Sequence, residues 1–508
     1  MLSDRKYYRL LVISFLTFIF LVISSTIRPY GFFIDELYFI SCAHRPAFGY
    51  IDQPPLSIII LTGITGIFGN NMIAIRVIPA LCLAATVFVT GMLAKRLGAG
   101  ITGMLLASVA VAIMPVFLIF CSFYSMNAYE PLLLALVIYF LVKMAQDGNP
   151  RFWLHIGILA GIALMMKHTF LLYGVALLTG LLISRTGKLL FNKWIWWGGL
   201  ACFIIVLPNL LWQIFNDFPS LELYKNSFIS KNIDKSYLQI FLEQIIFVNP
   251  GALLLWLAGL VSVFLPFGKR FRFMGYAYLF LLLVMFAGHS SRPDRIASIY
   301  PFFMAFGATA IDHFLKIKWH KVVMFVMFIL VLVCGVMLAP VFCPVMPPQQ
   351  LRAHVARLGI QFEIEEGKRG EPIPQWLADR IGWEEMAAEV SHVYDHLTDV
   401  EKHNCVIVSD SYGPAGAMEL YGKKYHLPPV FGTHNSFHSW GPPSDTVKTY
   451  IGIDIDAEGA RELFESVEIA ATFYCPDCTR PQREVPIYLL RNPLGSVREK
   501  WPDFKNYH

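Results

Sequence analysis

The sequence predicts a polytopic α-helical membrane protein with a soluble α/β domain at its carboxy-terminal end. Three observations predict it. Of 508 residues, 56% are hydrophobic and only 15% are charged, with a mean hydropathy of +0.55, whereas soluble domains carry roughly 25% charged residues. The charge is unevenly spread: residues 1–341 hold 37 Asp, Glu, Lys and Arg (11%), and 342–508 hold 40 (24%). Apolar runs also recur at the ~20-residue length that a helix needs to cross a bilayer. These place a transmembrane domain at 1–341 and an extracytoplasmic α/β domain at 342–508.

Eleven runs are candidate spans: 10–27, 72–94, 100–120, 128–146, 152–166, 169–185, 194–214, 251–267, 273–289, 296–315 and 321–341. The first follows Arg5, Lys6 and Arg9 but lacks a small-residue cleavage site, so it reads as an uncleaved span rather than a signal peptide. Alternate loops, starting with the amino terminus, hold 16 of the 25 basic residues of 1–341. The positive-inside rule then puts the amino terminus in the cytoplasm and the carboxy-terminal domain outside, in a multi-pass protein of the cell (inner) membrane. Net charge is +13 over 1–341 and −8 over 342–508. The positive charge lies in short loops between apolar runs, which disfavours nucleic acid as a partner and leaves membrane lipids.

Two external loops are long, 28–71 and 215–250, and long loops on one face are where function concentrates. Ile58–Ile67 is too short to span and reads as a re-entrant or interfacial helix. Past the Pro-rich joint at Pro340–Pro348, helical spacing over 382–397 and apolar runs at 405–408, 447–453, 467–473 and 485–490 predict a small α/β domain. The nine cysteines include Cys475-Pro-Asp-Cys478. Outside the cytoplasm a local disulfide is the expected use of that spacing, because two further zinc ligands are lacking. Cys343 and Cys405 are candidates for a second bridge.

The residues that carry chemistry gather on the external face. Asp35 and Glu36 lie just beyond the first span, and Asp52 precedes Gln53-Pro54-Pro55. Near low-dielectric material such carboxylates can be tuned as bases or hold a metal, and they can equally be solvated and paired with Arg28 or Arg45. Lys167 and His168 lie between spans 5 and 6, and His289, Arg292, Asp294 and Arg295 between spans 9 and 10. Each lone cation reads as snorkelling to headgroups, but together they form what a lipid phosphate requires. Asn127 and Glu130 stand at the external end of span 4, where a helix cap is the plainer reading. Tyr300-Pro301 either points a hydroxyl at the same face or packs beside a kink. No Walker loop or Gly-rich dinucleotide fingerprint occurs, which argues against a cytosolic nucleotide donor.

At these residues the chain resembles the GT-C superfamily of polytopic glycosyltransferases, in the branch of family 39, the protein O-mannosyltransferases and the aminoarabinose transferases. The matching segments are Asp35-Glu36-Leu37-Tyr38, Gly49-Tyr50-Ile51-Asp52-Gln53-Pro54-Pro55-Leu56, Met126-Asn127-Ala128, Met166-Lys167-His168-Thr169 and Pro208-Asn209 through Trp212-Gln213. Tyr412 to Ala417 and His434 to Pro442 resemble one branch. The resemblance implies inverting transfer of a sugar from a polyprenyl-phosphate donor to a lipid, glycan or protein acceptor at the extracytoplasmic face. It further implies catalytic roles for Asp35, Glu36 and Asp52, the last a candidate for a divalent metal. Donor-phosphate contacts would come from Lys167, His168, Arg292, Arg295 and Tyr300, and acceptor or sugar contacts from Tyr38, Gln53 and Asn127. Gln53 stands where relatives often have His or Lys, and His168 where many have Tyr.

The competing reading is a transporter or flippase for a lipid-linked or anionic substrate. Transporters place ionisable groups near mid-membrane, usually with repeat symmetry, whereas here the spans are nearly free of charge. A scaffold anchored by its spans would not need eleven of them.

Overall fold

The computed structural model describes residues 5–230, 235–288, 292–314, 317–360, 362–363, 369–371 and 373–507. All eleven apolar runs fall on helices: α1 (Arg5–Ser24), α4 (Met72–Leu97), α5 (Ile101–Ala112) with α6 (Pro115–Cys121), α7 (Glu130–Asp147), α8 (Phe152–Met166), α9 (Phe170–Ile183), α10 (Lys193–Phe215), α13 (Leu253–Ser262), α14 (Arg272–Ala287), α15 (Tyr300–Phe314) and α16 (Ile317–Phe342). The long connections 28–71 and 215–250 contain α2 (Ile34–Ala43), α3 (Leu56–Phe68), α11 (Pro219–Ser230) and α12 (Tyr237–Val248). The chain is thus a membrane-embedded, multi-pass helical protein.

Among the described residues, six helices are long and apolar enough to cross a membrane, or eight if each of two bent pairs counts as one span, and Leu56–Phe68, Phe152–Met166 and Phe170–Ile183 are shorter apolar helices. α5 and α6 meet at 58° beside Pro115, and α12 turns by 95° into the helix over Pro250–Ser262. At the latter bend Asn249, at φ 91°, accepts a bond from the Gly251 amide and donates to the Val331 carbonyl. Hydropathy registers neither break. α8 and α9 have 15 and 14 residues, which at 1.5 Å rise is only about 20 Å, short of ~30 Å of hydrocarbon. α3 begins buried at Ser57 and Ile58 and ends with Ile67 and Phe68 exposed, as befits a helix lying at an interface. Large apolar side chains face outward on α10, Trp196 being 81% exposed, which is what a lipid-facing surface requires.

Past α16 come α17 (Pro348–Leu358), a two-stranded hairpin of β1 (Phe362–Glu363) and β2 (Arg369–Glu371), and α18 (Gln375–Ala378), α19 (Trp383–Asp395) and α20 (Asp399–His403). Then follow β3 (Cys405–Ser409), α21 (Tyr412–Tyr421), β4 (Val430–Gly432), α22 (Ser436–Ser439), β5 (Thr449–Ile453), α23 (Ala457–Leu463), β6 (Phe464–Tyr474) and β7 (Glu484–Pro493). The five-stranded sheet has the order β4-β3-β5-β7-β6. β3 runs parallel to β4 and β5, and β7 runs antiparallel to β5 and β6. The short β4 had no counterpart in the sequence reading.

Strand alternation gives the sheet two apolar faces. Val406, Tyr450 and Leu490 form a small core of their own. Ile407, Ile451 and Ile487 on the other face join a core continuous with the helical bundle. Cys475 and Cys478 are joined in a disulfide. Cys343 and Cys405 are free thiols and do not pair; Cys343 instead donates to the Ser24 hydroxyl, whereas Cys405 lies in β3.

Candidate active site

The site is built where α2 packs along α21, two helices from opposite ends of the chain. Close approach depends on glycine. A Cβ at Gly416 would meet Leu37 within about 3 Å, and one at Gly413 would lie 2.6 Å from Ile34. Tyr412, in the first turn of α21 after β3, donates its hydroxyl to Asp35 Oδ1 at 3.0 Å. Ser436, the first residue of α22 after β4, lies 2.7 Å from the Tyr38 hydroxyl, which itself donates to Asp52 Oδ1 at 2.7 Å. Both contributors from the soluble domain follow the carboxyl ends of parallel strands, where open α/β sheets present their ligand-binding groups. Asp35, Tyr38 and Asp52 are thus gathered in one polar cluster. Burial, then the neighbouring Asp52 charge, pushes the Tyr38 hydroxyl far above its ordinary value, so it stays a donor.

The loop carrying Asp52 is held from three sides. The Ile51 amide donates to Ser436 Oγ, and the Ile51 carbonyl accepts from Ser220 of α11. Gly49 lets α10 approach so closely that a Cβ would fall 2.3 Å from Trp212.

Glu36 is engaged elsewhere. It is 1% exposed, receives Arg76 Nε at 3.0 Å and Nη2 at 2.6 Å, and accepts the Tyr124 and Phe33 amides. Four donors on two oxygens make it a structural anchor between α2 and α4 rather than a reacting carboxylate. Arg380 of the soluble domain packs nearby, donating to the Ser122 carbonyl and hydroxyl. Burial, aided by the Arg76 charge, brings Arg380 down to about 9.

The cationic side lies around the α8–α9 corner. Lys167 Nζ is 3.1 Å from Glu130 Oε2, whose other oxygen accepts from Ser298. Tyr173 donates to the Arg295 carbonyl, and Arg292 grips Asp294 with two contacts of 3.2 Å. Burial pushes the Asp294 carboxyl up, but Arg292, Lys167 and Arg295 together bring it below its ordinary value. Lys167, Arg292 and Arg295 therefore act on one carboxylate. His289 lies outside the described residues.

His168 differs from expectation. Asn209 Nδ2 donates to the Phe48 carbonyl, so Asn209 Oδ1 accepts from His168 Nε2 at 2.8 Å, and Nδ1 accepts from the Tyr224 hydroxyl at 3.1 Å. With both nitrogens used, and burial holding it below its ordinary value, His168 is a neutral strut. It also links the two halves of the site: after burial, it is the Asp52 charge that raises the Tyr224 hydroxyl.

Tyr300 is fully buried, bonded to Tyr278 and Gln244 and stacked edge-on against Trp256, so it does not reach a donor phosphate. Gln53 is likewise fully buried, its Oε1 accepting from Ser57 in the first turn of α3 while its Nε2 has no partner among the described residues. Asn127 is half-buried in the turn Met126–Ala128, between Tyr124, which closes on Glu36, and Glu130, which pairs with Lys167. Among the described residues no group of three or more His, Cys, Asp or Glu converges as a metal needs, and Asp52 already receives Tyr38. Among the described residues the donor set does not fit a divalent ion.

A family model for dolichyl-phosphate-mannose-protein mannosyltransferase matches residues 52–212. The structure is similar to ArnT from Cupriavidus metallidurans, solved bound to undecaprenyl phosphate: TM-score 0.62 over 95% of this chain and 97% of that one, at 14% identity. The apo state of ArnT gives a TM-score of 0.61. This chain has the GT-C fold. The oligosaccharyltransferase of Archaeoglobus fulgidus, tethered to an acceptor peptide, is similar at TM-score 0.50 and 11% identity, over 84% of this chain and 64% of that one. No curated protein matches by sequence. With the fold and a glycosyltransferase family model in agreement, the chain is a membrane glycosyltransferase, the class that its motifs implied. Nothing in either supports the transporter reading.

Proposed function

We propose that this protein transfers a sugar from a polyprenyl-phosphate donor to an acceptor hydroxyl or amine at the extracytoplasmic membrane face, with inversion at the anomeric carbon. Asp35 is the base. The acceptor proton passes to the Asp35 oxygens as the acceptor attacks, and Tyr412 holds that carboxylate in place. Asp52, fixed through Tyr38 and Ser436, orients the acceptor. The leaving group is the donor phosphate, whose developing charge meets Lys167, Arg292 and Arg295; electrostatic stabilisation of this kind is usually the largest single contribution to such a barrier. Glu36 and His168 position these groups and take no part in the chemistry. The family model names dolichyl-phosphate-mannose-protein mannosyltransferase activity and ArnT was solved with undecaprenyl phosphate, which supports a polyprenyl carrier here.

The observation that carries the reading is Asp35 held by Tyr412, at 3.0 Å, from the soluble domain: a loop carboxylate that only paired with solvent would not be locked in this way. The test is transfer by the full-length protein from purified polyprenyl-phosphate sugars, alongside mass spectrometry of envelope glycans and lipid-linked sugars with and without the protein. Removing a general base costs about a hundredfold to ten-thousandfold in rate. Asp35→Asn near wild-type rate, with normal membrane insertion, would remove Asp35 from the mechanism.

A further inference from the structure

α2 and α21 run side by side in the same direction. Their amino-terminal ends meet at Asp35 and Tyr412. Ten residues on, their far ends meet again at Arg45 and Glu419, where Arg45 Nη1 lies 3.0 Å from Glu419 Oε2 and Nη2 takes the other oxygen. Glu419 is two helical turns beyond Tyr412 and so lies on the same face of α21. At 1.5 Å per residue the two polar pairs are about 10–15 Å apart along the α2–α21 interface.

At that far end opens a cleft of about 660 Å³, within the ~300–1,000 Å³ typical of small-molecule sites. Its lining includes the apolar Pro428-Pro429, Phe431 and Phe437, and Trp440, with the Arg45 guanidinium 4.1 Å above its ring. Phe437 connects the cleft to the site. It follows directly on Ser436, the residue at Tyr38, so the cleft and the Asp52 cluster share α22.

The charge in the cleft is unbalanced. Arg45 is matched by Glu419, but the Lys423 ammonium, also in the lining, makes no hydrogen bond or ion pair among the described residues, and its side chain is exposed. His44 beside it is held neutral, first by burial and then by the Lys423 charge. An acceptor-only anion would meet Lys423, hydroxyl groups would meet the fixed Arg45–Glu419 pair as both donors and acceptors, and apolar ring faces would meet Phe431 and the prolines.

We infer that this cleft binds the anionic part of the acceptor, a saccharide bearing a carboxylate or a phosphate, while its reacting group lies at Asp35. The inference rests on the transfer reaction proposed above and adds the substrate class to it.

The test is saturation-transfer NMR and titration on the full-length protein in detergent, with glucuronate, glucose 6-phosphate, glucose and glycerol 3-phosphate as probes. Glucuronate or glucose 6-phosphate should bind about tenfold more tightly than glucose, the scale of a charge-assisted contact. That advantage should vanish in Lys423→Glu and shrink in Lys423→Met, two substitutions at one exposed position, with folding checked by thermal melting. The preferred probe of the two identifies the anion. Equal binding of glucose and the anionic sugars, binding unchanged by either Lys423 substitution, or glycerol 3-phosphate binding as tightly as glucose 6-phosphate would overturn the inference. Because the readout is binding, full transfer by Asp35→Asn would refute the mechanism while leaving this result standing.

Discussion

Tyr412→Phe deletes one oxygen from the proposed site and leaves the ring contacts with Tyr38 and His434, at centroid distances of 5.3 and 4.9 Å, in place. The hydroxyl donates to a carboxylate at 3.0 Å. A hydrogen bond to a charged group is worth about 1.5–3 kcal/mol, so if Tyr412 serves to hold Asp35 ready, the rate of transfer should fall by about ten- to a hundredfold. Because the hydroxyl acts through Asp35, its removal from Asp35→Asn protein should cost little more than Asp35→Asn alone, and the double-mutant cycle should show strong coupling. The assay is single-turnover transfer from a polyprenyl-phosphate sugar, with each variant's melting temperature recorded so that damage to the fold is separable. Wild-type rate in Tyr412→Phe, or penalties that simply multiply in the double variant, would refute the claim that the soluble domain completes the acidic side of the site.

Arg76→Met should destabilise the protein by about 3–5 kcal/mol, since it strands Glu36 as a buried, unpaired charge; a thermal-shift measurement in detergent that shows no loss would argue against the anchor. Lys167→Ala and Arg295→Ala should each weaken donor binding, and the double variant should depart from additivity because both cations bear on Asp294; titrations unchanged in the single variants would separate these residues from the donor. His168 is held below its ordinary value in the fold, so the unfolded chain takes up the proton first as pH drops. Stability should therefore hold above about pH 6.5 and decline as pH falls below it toward the lowered folded value. His168→Gln should flatten that decline in unfolding curves, and an unaltered pH dependence would remove the histidine as its source.

The sequence was most legible where a single local pattern decided the structure. Every apolar run became a helix, and Asp35, Tyr38 and Asp52 came together because all three lie in the one connection between α1 and α4. Breaks at Pro115 and Asn249 escaped notice because hydropathy averages over a bend. Glu36 looked like its neighbour Asp35, yet successive residues on a helix point about 100° apart. One met α4 and the other met the soluble domain. Arg76 did leave a signal, as a lone cation near the start of an apolar helix, where a charged partner is the default expectation. Tyr412 and Ser436 stood in the segments Tyr412–Ala417 and His434–Pro442 that resemble one branch of the family, but without a role, because their partners are 377 and 398 residues away; the Gly413 and Gly416 pair, marking a face for close helix contact, was a further local trace. Tyr300 failed for the opposite reason, since a tyrosine beside a helix start looks the same whether it faces a site or a core.

The distance between Asp35 and Tyr412 along the chain also sets an order of events. At about 5–20 residues per second, a ribosome needs roughly 20–75 s to travel from one to the other. During that interval the carboxylate exists without the hydroxyl that steadies it. On the proposed mechanism a nascent or truncated chain carries Asp35 without its Tyr412 partner, and full activity requires the last domain to have closed over the first loop.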